Sequence, residues 1–173
     1  MATTKATKVV IGEVRFSYEH VFDAVKDDQG RDKWSVSILI PKSNKDAISL
    51  ANKGIDAAKE EGKDTKFGGK IPAVLKGGLR DGDLEKPDDP AYKNCYFINA
   101  NTWNRPGVVD ADLNPILDRS EFYSGCYGRA SISFYAYDNK GSKGIACGLN
   151  NVQKLRDGEK LGGGSSAAED FAS

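Results

Sequence analysis

Two stretches of the chain set aromatic rings beside amides, hydroxyls and cations at strand spacing. In Cys95-Tyr96-Phe97-Ile98-Asn99-Ala100-Asn101-Thr102-Trp103, alternation puts Phe97, Asn99, Asn101 and Trp103 on one side and Tyr96, Ile98 and Ala100 on the other. The second set is the expected core. The first offers two ring faces for stacking and two carboxamides for hydrogen bonding, with Arg105 just beyond to meet a phosphate. The same alternation in Arg129-Ala130-Ser131-Ile132-Ser133-Phe134-Tyr135-Ala136-Tyr137 sends Ala130, Ile132, Phe134 and Ala136 inward. Arg129, Ser131, Ser133, Tyr135 and Tyr137 then face out. Rings exposed beside arginine and serine suit a single-stranded nucleic acid, because stacking is worth about 1–3 kcal/mol per base whatever the base. Arg15, Lys70, Lys76, Arg80 and Lys143 would supply the cations, and Tyr123 a further ring. Strands are rich in aromatics for structural reasons too, and a one-sided aromatic ladder also packs on a second sheet or a dimer partner. Trp34, in register with Val36 and Ile38, reads as core.

Other chemistry finds little support. Gly68-Gly69-Lys70-Ile71 lacks the upstream glycine and the hydroxyl of a phosphate-binding loop. The one histidine, His20, lies in a polar stretch at an apparent turn and reads as a surface residue, so a serine or cysteine nucleophile has no base. Asp81/Asp83 and Asp110/Asp112 could hold Mg²⁺ for a nuclease, but Asp-Gly-Asp and Asp-x-x-Asn-Pro are turn sequences. Gly125-Cys126-Tyr127-Gly128 has the spacing of an RNA-clamping loop without the helices such a loop needs, and reads as a tight turn. Cys95, Cys126 and Cys147 are odd in number, lack Cys-x-x-Cys spacing and sit among strand-like neighbours. No cofactor, structural metal or catalytic residue is expected. A binding protein is the leading class; a metal-dependent nuclease using the four aspartates and a structural or adaptor protein are the alternatives.

The elements that must position these residues are mostly strands. Val9–Tyr18 passes from an apolar run into alternation, and Lys33–Ile40 alternates with Trp34, Val36, Ile38 and Ile40 on one face, so the two read as antiparallel neighbours across a turn at Lys26–Gly30. Ser43-Asn44-Lys45-Asp46 has capping character, and Ile48, Ala51, Ile55 and Ala58 recur at helical spacing until Gly62, which predicts one main helix over about 43–61. Gly54 inside it costs about 1 kcal/mol against alanine, so the helix must depend on packing. Residues 62–94, rich in Gly, Pro, Lys and Asp, predict long loops. Gly128–Tyr137 and Gly144–Val152 read as a hairpin across Asp138-Asn139-Lys140-Gly141. The expected division is an N-terminal arm at 1–8, a body at 9–161, and a Gly/Ser linker with a weakly acidic flexible tail at 162–173.

The chain has 173 residues, 39% of them apolar, which suits one domain. Its longest apolar run, Val36–Ile40, is far short of a membrane span, and the polar N-terminus lacks a secretory signal, so a soluble cytoplasmic protein is expected. With 25 bases and 25 acids the net charge is zero, which argues against a nucleic-acid partner. From Asp157 onward, however, four acids face one base, leaving 24 bases against 21 acids in residues 1–156.

Five stretches taken together, Gly12–Tyr18, Arg80–Asp83, Pro87–Tyr92, Phe97–Asn101 and Glu121–Ala130, resemble the Enc34-type family of bacteriophage single-stranded DNA-binding proteins, and Gly148–Lys154 extends the likeness. The resemblance runs from about Val9 to Leu161. It implies a mainly β OB-fold barrel, binding of single-stranded DNA without strong sequence preference, and work in phage DNA replication or recombination in the cytoplasm of the infected host. Phage binding proteins of this general kind often end in an acidic, aromatic tail that occupies the DNA groove or recruits replication partners. Glu169, Asp170 and Phe171 are a thin version, with two acids and a phenylalanine that is not terminal.

Overall fold

The computed structural model describes residues 6–161. Strand β1 (Lys8–Lys26) turns through Asp27–Arg31 into β2 (Asp32–Pro41), and helix α1 (Lys45–Thr65) follows. Short pieces come next: β3 (Lys76–Gly77), β4 (Arg80–Asp81), the four-residue helix α2 (Gly82–Glu85) and a 3₁₀ turn at Pro90–Tyr92. The chain then forms β5 (Cys95–Thr102), β6 (Gly107–Val109), a 3₁₀ turn at Arg119–Glu121, β7 (Tyr127–Asn139) and β8 (Ser142–Arg156).

Antiparallel pairing joins β2 to β5, β1 to both β2 and β7, and β7 to β8. The parallel contact of Ala100 with Cys147 and Asn101 with Gly148 closes the ring β1-β2-β5-β8-β7. That is the strand order of a closed OB barrel, as the resemblance implies. Alternation fills its interior: Val36, Ile38, Ile40, Ile98, Ala100, Ala130, Ile132 and Phe134 are all buried. Trp34 is buried as expected, with its indole N–H donating to the Phe22 carbonyl at 3.4 Å. The β7–β8 hairpin turns on Lys140 (φ 52°) and Gly141 (φ 89°), the left-handed pair that a two-residue turn of this twist requires.

Helix α1 covers one end of the barrel. Asn44 caps it by accepting the Ala47 N–H at 3.2 Å, and Ala51, Ile55 and Ala58 are buried as predicted, while Ile48 lies at the edge of the stripe. The helix does not stop at Gly62. It continues to Thr65 because Gly62 faces the barrel where Ala136 leaves no room for a side chain, and the Lys66 and Phe67 N–H groups then close on the Gly62 carbonyl. Gly54 is the same device one contact earlier, since a Cβ there would lie 2.7 Å from the Phe134 ring. Phe122 and Phe22 fill the other end, with Phe122 5.0 Å from Phe16 between ring centroids.

A second cluster sits outside the barrel. Residues 86–94 run back as a strap across β2 and β5, and Tyr92 packs at its centre on Leu39 and Phe97. Thr7 is buried and its carbonyl accepts the Phe134 N–H, so pairing with the sheet begins inside the expected N-terminal arm. No helix among the described residues is long and apolar enough to cross a membrane.

Candidate nucleic-acid interface

Register builds the outer face of β1, β2 and β5. Ser17 pairs with Ser37 and Ser37 with Asn99; His20 pairs with Ser35 and Ser35 with Asn101. Of these, Ser35, Ser37, Asn99 and Asn101 line a shallow groove of about 330 Å³, together with Lys33, Lys86, Tyr18 and Tyr92. Two lysines and no carboxylate line it. One end of the Asn101 carboxamide, Oδ1, is buried without a hydrogen-bond partner. Beyond Asn101 the closure pairing brings Gly148 of β8, then Ser133 of β7, with the Tyr135 ring near Gly148.

Exposed rings flank the groove. Tyr18 is 59% exposed because β1 is irregular between Ser17 and His20 and Tyr18 itself takes φ 47°. Trp103, just past β5, is 42% exposed. Its indole N–H donates to Asp27 at 2.9 Å, and the Arg31 guanidinium lies 5.0 Å from the ring centroid. The Arg31 backbone N–H, together with the indole and the guanidinium, holds the Asp27 carboxyl well below the usual carboxylate range.

The residues predicted from alternation divide into groups. Asn99 and Asn101 line this groove as expected and Trp103 follows them just past β5, whereas Arg105 lies over the ring of Trp34, 5.7 Å from its centroid, on the opposite face of β2. Tyr135, Tyr137, Lys76 and Lys143 gather on the β3–β8–β7 sector, with Tyr135 42% exposed at its border with the groove. Arg129 is exposed on β7 and paired in register with Gln153 of β8, apart from both groups.

Four of the predicted site residues do other work. Phe97 is on the outer face, as alternation requires, yet fully buried, because the strap lays Tyr92 against it at 5.1 Å between centroids. Arg80 stacks over that same Phe97 ring and is ion-paired to Glu85. Arg15 donates to the carbonyls of Gly125 (3.0 Å) and Glu159 (2.7 Å), and the Tyr123 hydroxyl bonds to Asp157 and Gly158. Both therefore clamp the segment after β8 onto the barrel. Tyr96, expected in the core, is half-buried under the Lys42 ammonium, since it lies where β5 has only just entered the barrel.

The acidic pairs are structural. Lys42 reaches Asp81 (2.9 Å) and Asp83 (2.8 Å), and Asp83 also accepts the Asn94 N–H, which together lower its carboxyl pKa. Asp110 accepts the N–H groups of Asp112 and Asn114 and so closes a turn. Among the described residues, no three His, Cys, Asp or Glu side chains come together as metal ligands. Burial raises the Cys126 thiol to about 11 and Cys147 further, which leaves neither as a nucleophile at neutral pH. His20 is exposed, though within β1 rather than at a turn. Glu169, Asp170 and Phe171 lie outside the described residues.

Reasoning from alternation missed Lys33, Lys86, Arg31 and Tyr18. The signal for Lys33 was present, because it alternates outward with Ser35 and Ser37 when Trp34, Val36 and Ile38 face in. Tyr18 gave none, since strict alternation from Phe16 would have buried it.

A closed OB barrel whose β2–β5 face carries a carboxylate-free groove between exposed rings is a nucleic-acid-binding module in its architecture. The family model described as the Enterobacter phage Enc34 ssDNA-binding protein matches residues 7–173, and the chain belongs to that family. It is 34% identical over 176 residues to protein p50 of Acyrthosiphon pisum secondary endosymbiont phage 1, covering 95% of this chain and 92% of p50. The bacteriophage Enc34 single-stranded DNA-binding protein, solved in complex with ssDNA, superposes with a TM-score of 0.76 at 27% identity over 94% of this chain and 97% of its own. The fold also matches gp2.5, a single-stranded DNA binding protein encoded by bacteriophage T7, with a TM-score of 0.63 at 13% identity over 95% of this chain and 93% of gp2.5.

Proposed function

We propose that this protein binds single-stranded DNA across the outer β1–β2–β5 face, without strong sequence preference, during phage DNA replication or recombination in the infected cell. The observation that carries the reading is the groove itself, lined by Lys33, Lys86, Asn99, Asn101 and the exposed Tyr18, with the exposed Trp103 two residues beyond Asn101 in the chain. Rings take any base, so stacking does not select a sequence. The two lysines meet phosphates, and Arg105 is an outlying cation beyond β5. Tyr135, Tyr137, Lys76 and Lys143 extend the path past Gly148, and Arg129 is an outlying cation on β7.

Anisotropy of labelled oligo-dT across a salt series tests this. Binding that weakens with salt is expected, and absent or salt-independent binding refutes it. Incubation with labelled DNA and Mg²⁺ or Mn²⁺ should leave the strand at full length.

The tail has a role in the same reading: Glu169, Asp170 and Phe171 compete for the groove or recruit phage or host replication proteins. Support comes from where the tail departs. Leu161 packs against the Leu39–Tyr92–Phe97 cluster beside the groove, and its N–H donates to Ser124. Deleting residues 162–173 should therefore strengthen DNA binding, because a tethered competitor acts at high local concentration. Unchanged affinity would refute competition. A homodimer built on the aromatic faces is the remaining partner, and sedimentation with and without oligonucleotide reads it.

A further inference from the structure

Two aspartates hydrogen-bond exposed rings beside a face proposed to bind a polyanion, where a carboxylate repels the ligand. Asp27 accepts the Trp103 indole N–H at 2.9 Å and the Arg31 guanidinium at 2.8 Å. Asp89, in the strap, accepts the Tyr18 hydroxyl at 3.2 Å. Each carboxylate is also tied to its own loop. Asp27 accepts the N–H groups of Gln29 and Arg31, and Asp89 that of Ala91, so both are fixed independently of the ring they hold. Both rings are exposed, Tyr18 in the groove lining and Trp103 two residues beyond Asn101 in the chain.

We propose that Asp27 and Asp89 are positioning residues that hold the Trp103 and Tyr18 rings as ready-made stacking platforms, a role that rests on the single-stranded DNA reading above. An unheld exposed ring gives up rotamer freedom when a base lands on it, whereas a tethered ring has given it up on folding. A carboxylate near the path also repels phosphate, but salt screens that repulsion and leaves the tether untouched. The two effects of each aspartate thus have opposite sign and different salt dependence.

The test is oligo-dT affinity at low and high salt for the full-length protein. Tyr18→Phe keeps the ring and removes only the hydroxyl; it should bind about two- to tenfold more weakly, the cost of ordering one side chain, with the salt slope unchanged. Asp27→Ala should bind more weakly than wild type at high salt, and should no longer weaken binding in a Trp103→Leu background. Asp27→Asn, which keeps an acceptor for the indole and guards against loss of the turn, should restore wild-type affinity at high salt. Tyr18→Phe binding as wild type overturns the Asp89 assignment. Asp27→Ala that binds more tightly at every salt, or that weakens binding equally with and without Trp103, overturns the Asp27 assignment. Wild-type protein that ignores oligo-dT overturns the nucleic-acid reading before any variant is compared.

Discussion

Phe97 and Trp103 lie on the same face of one chain segment, and truncating them should separate fold from function. Phe97 is fully buried, 5.1 Å from the Tyr92 ring and 5.0 Å under the Arg80 guanidinium. Phe97→Ala removes a complete ring from a packed cluster and should cost about 3–5 kcal/mol. For a domain of this size that is a fall in Tm of roughly 6–20 °C. Trp103 is 42% exposed, and its fixed contacts are the Asp27 hydrogen bond and the Arg31 stack, so Trp103→Ala should cost the fold only on the order of 1 kcal/mol. Its effect should fall on DNA: losing one stacked base, worth about 1–3 kcal/mol, weakens binding about 5- to 150-fold. Urea unfolding followed by circular dichroism and anisotropy with oligo-dT measure the two quantities on the same samples. The affinity of folded Phe97→Ala should change by less than that of Trp103→Ala. A Phe97→Ala protein of wild-type stability that no longer binds DNA, or a Trp103→Ala protein that binds normally, would refute the assignment.

Lys33→Gln and Lys86→Gln should each lower the slope of log affinity against log salt by about 0.7, while Lys70→Gln, outside the groove, leaves it unchanged in the same anisotropy series. Gly54→Ala should lower stability by about 1–3 kcal/mol in urea unfolding despite the better helix propensity of alanine, because the new methyl meets Phe134 at 2.7 Å. Lys42 and the Asn94 N–H hold the Asp83 carboxyl below its ordinary pKa, so their contribution is full above the usual carboxylate value of about 4 and is lost as pH falls through the lower folded value. Asp83→Asn should therefore flatten the loss of stability below about pH 4 in acid titrations followed by circular dichroism.

The barrel was legible because its strands alternate cleanly and its hairpin turn ends on a glycine, Gly141, that accepts a left-handed backbone. What alternation could not convey is a third layer. It assigns Phe97 to the outer face correctly and then equates outer with exposed, but Tyr92, only five residues earlier in sequence, folds back to cover it. Gly62 reads as a helix stop because glycine commonly ends helices; here its missing side chain serves a close approach to Ala136, a tertiary contact 74 positions away that no local pattern encodes. Arg15 and Arg80 illustrate the same gap for charge. Sequence shows a cation, but only the fold shows that backbone carbonyls or Glu85 already occupy it.

Net charge misled for a related reason. A sum of zero over 25 bases and 25 acids weighs every carboxylate equally, whereas at physiological salt a surface charge is largely screened beyond about 8 Å. Many acids of this protein are spent on nearby cations: Asp81 and Asp83 on Lys42, Glu85 on Arg80, Asp32 on Lys26, Glu13 on Arg156. A phosphate entering the groove meets Lys33 and Lys86 on its walls and no carboxylate lining it. Among the acids that come near, Asp27 and Asp89 have an indole N–H or an aromatic hydroxyl in hydrogen-bond contact, and Glu85 is paired with Arg80. A neutral chain can therefore present a positive path to a polyanion, provided its acids are placed by the fold to pair with cations or to hold the rings on which the bases stack.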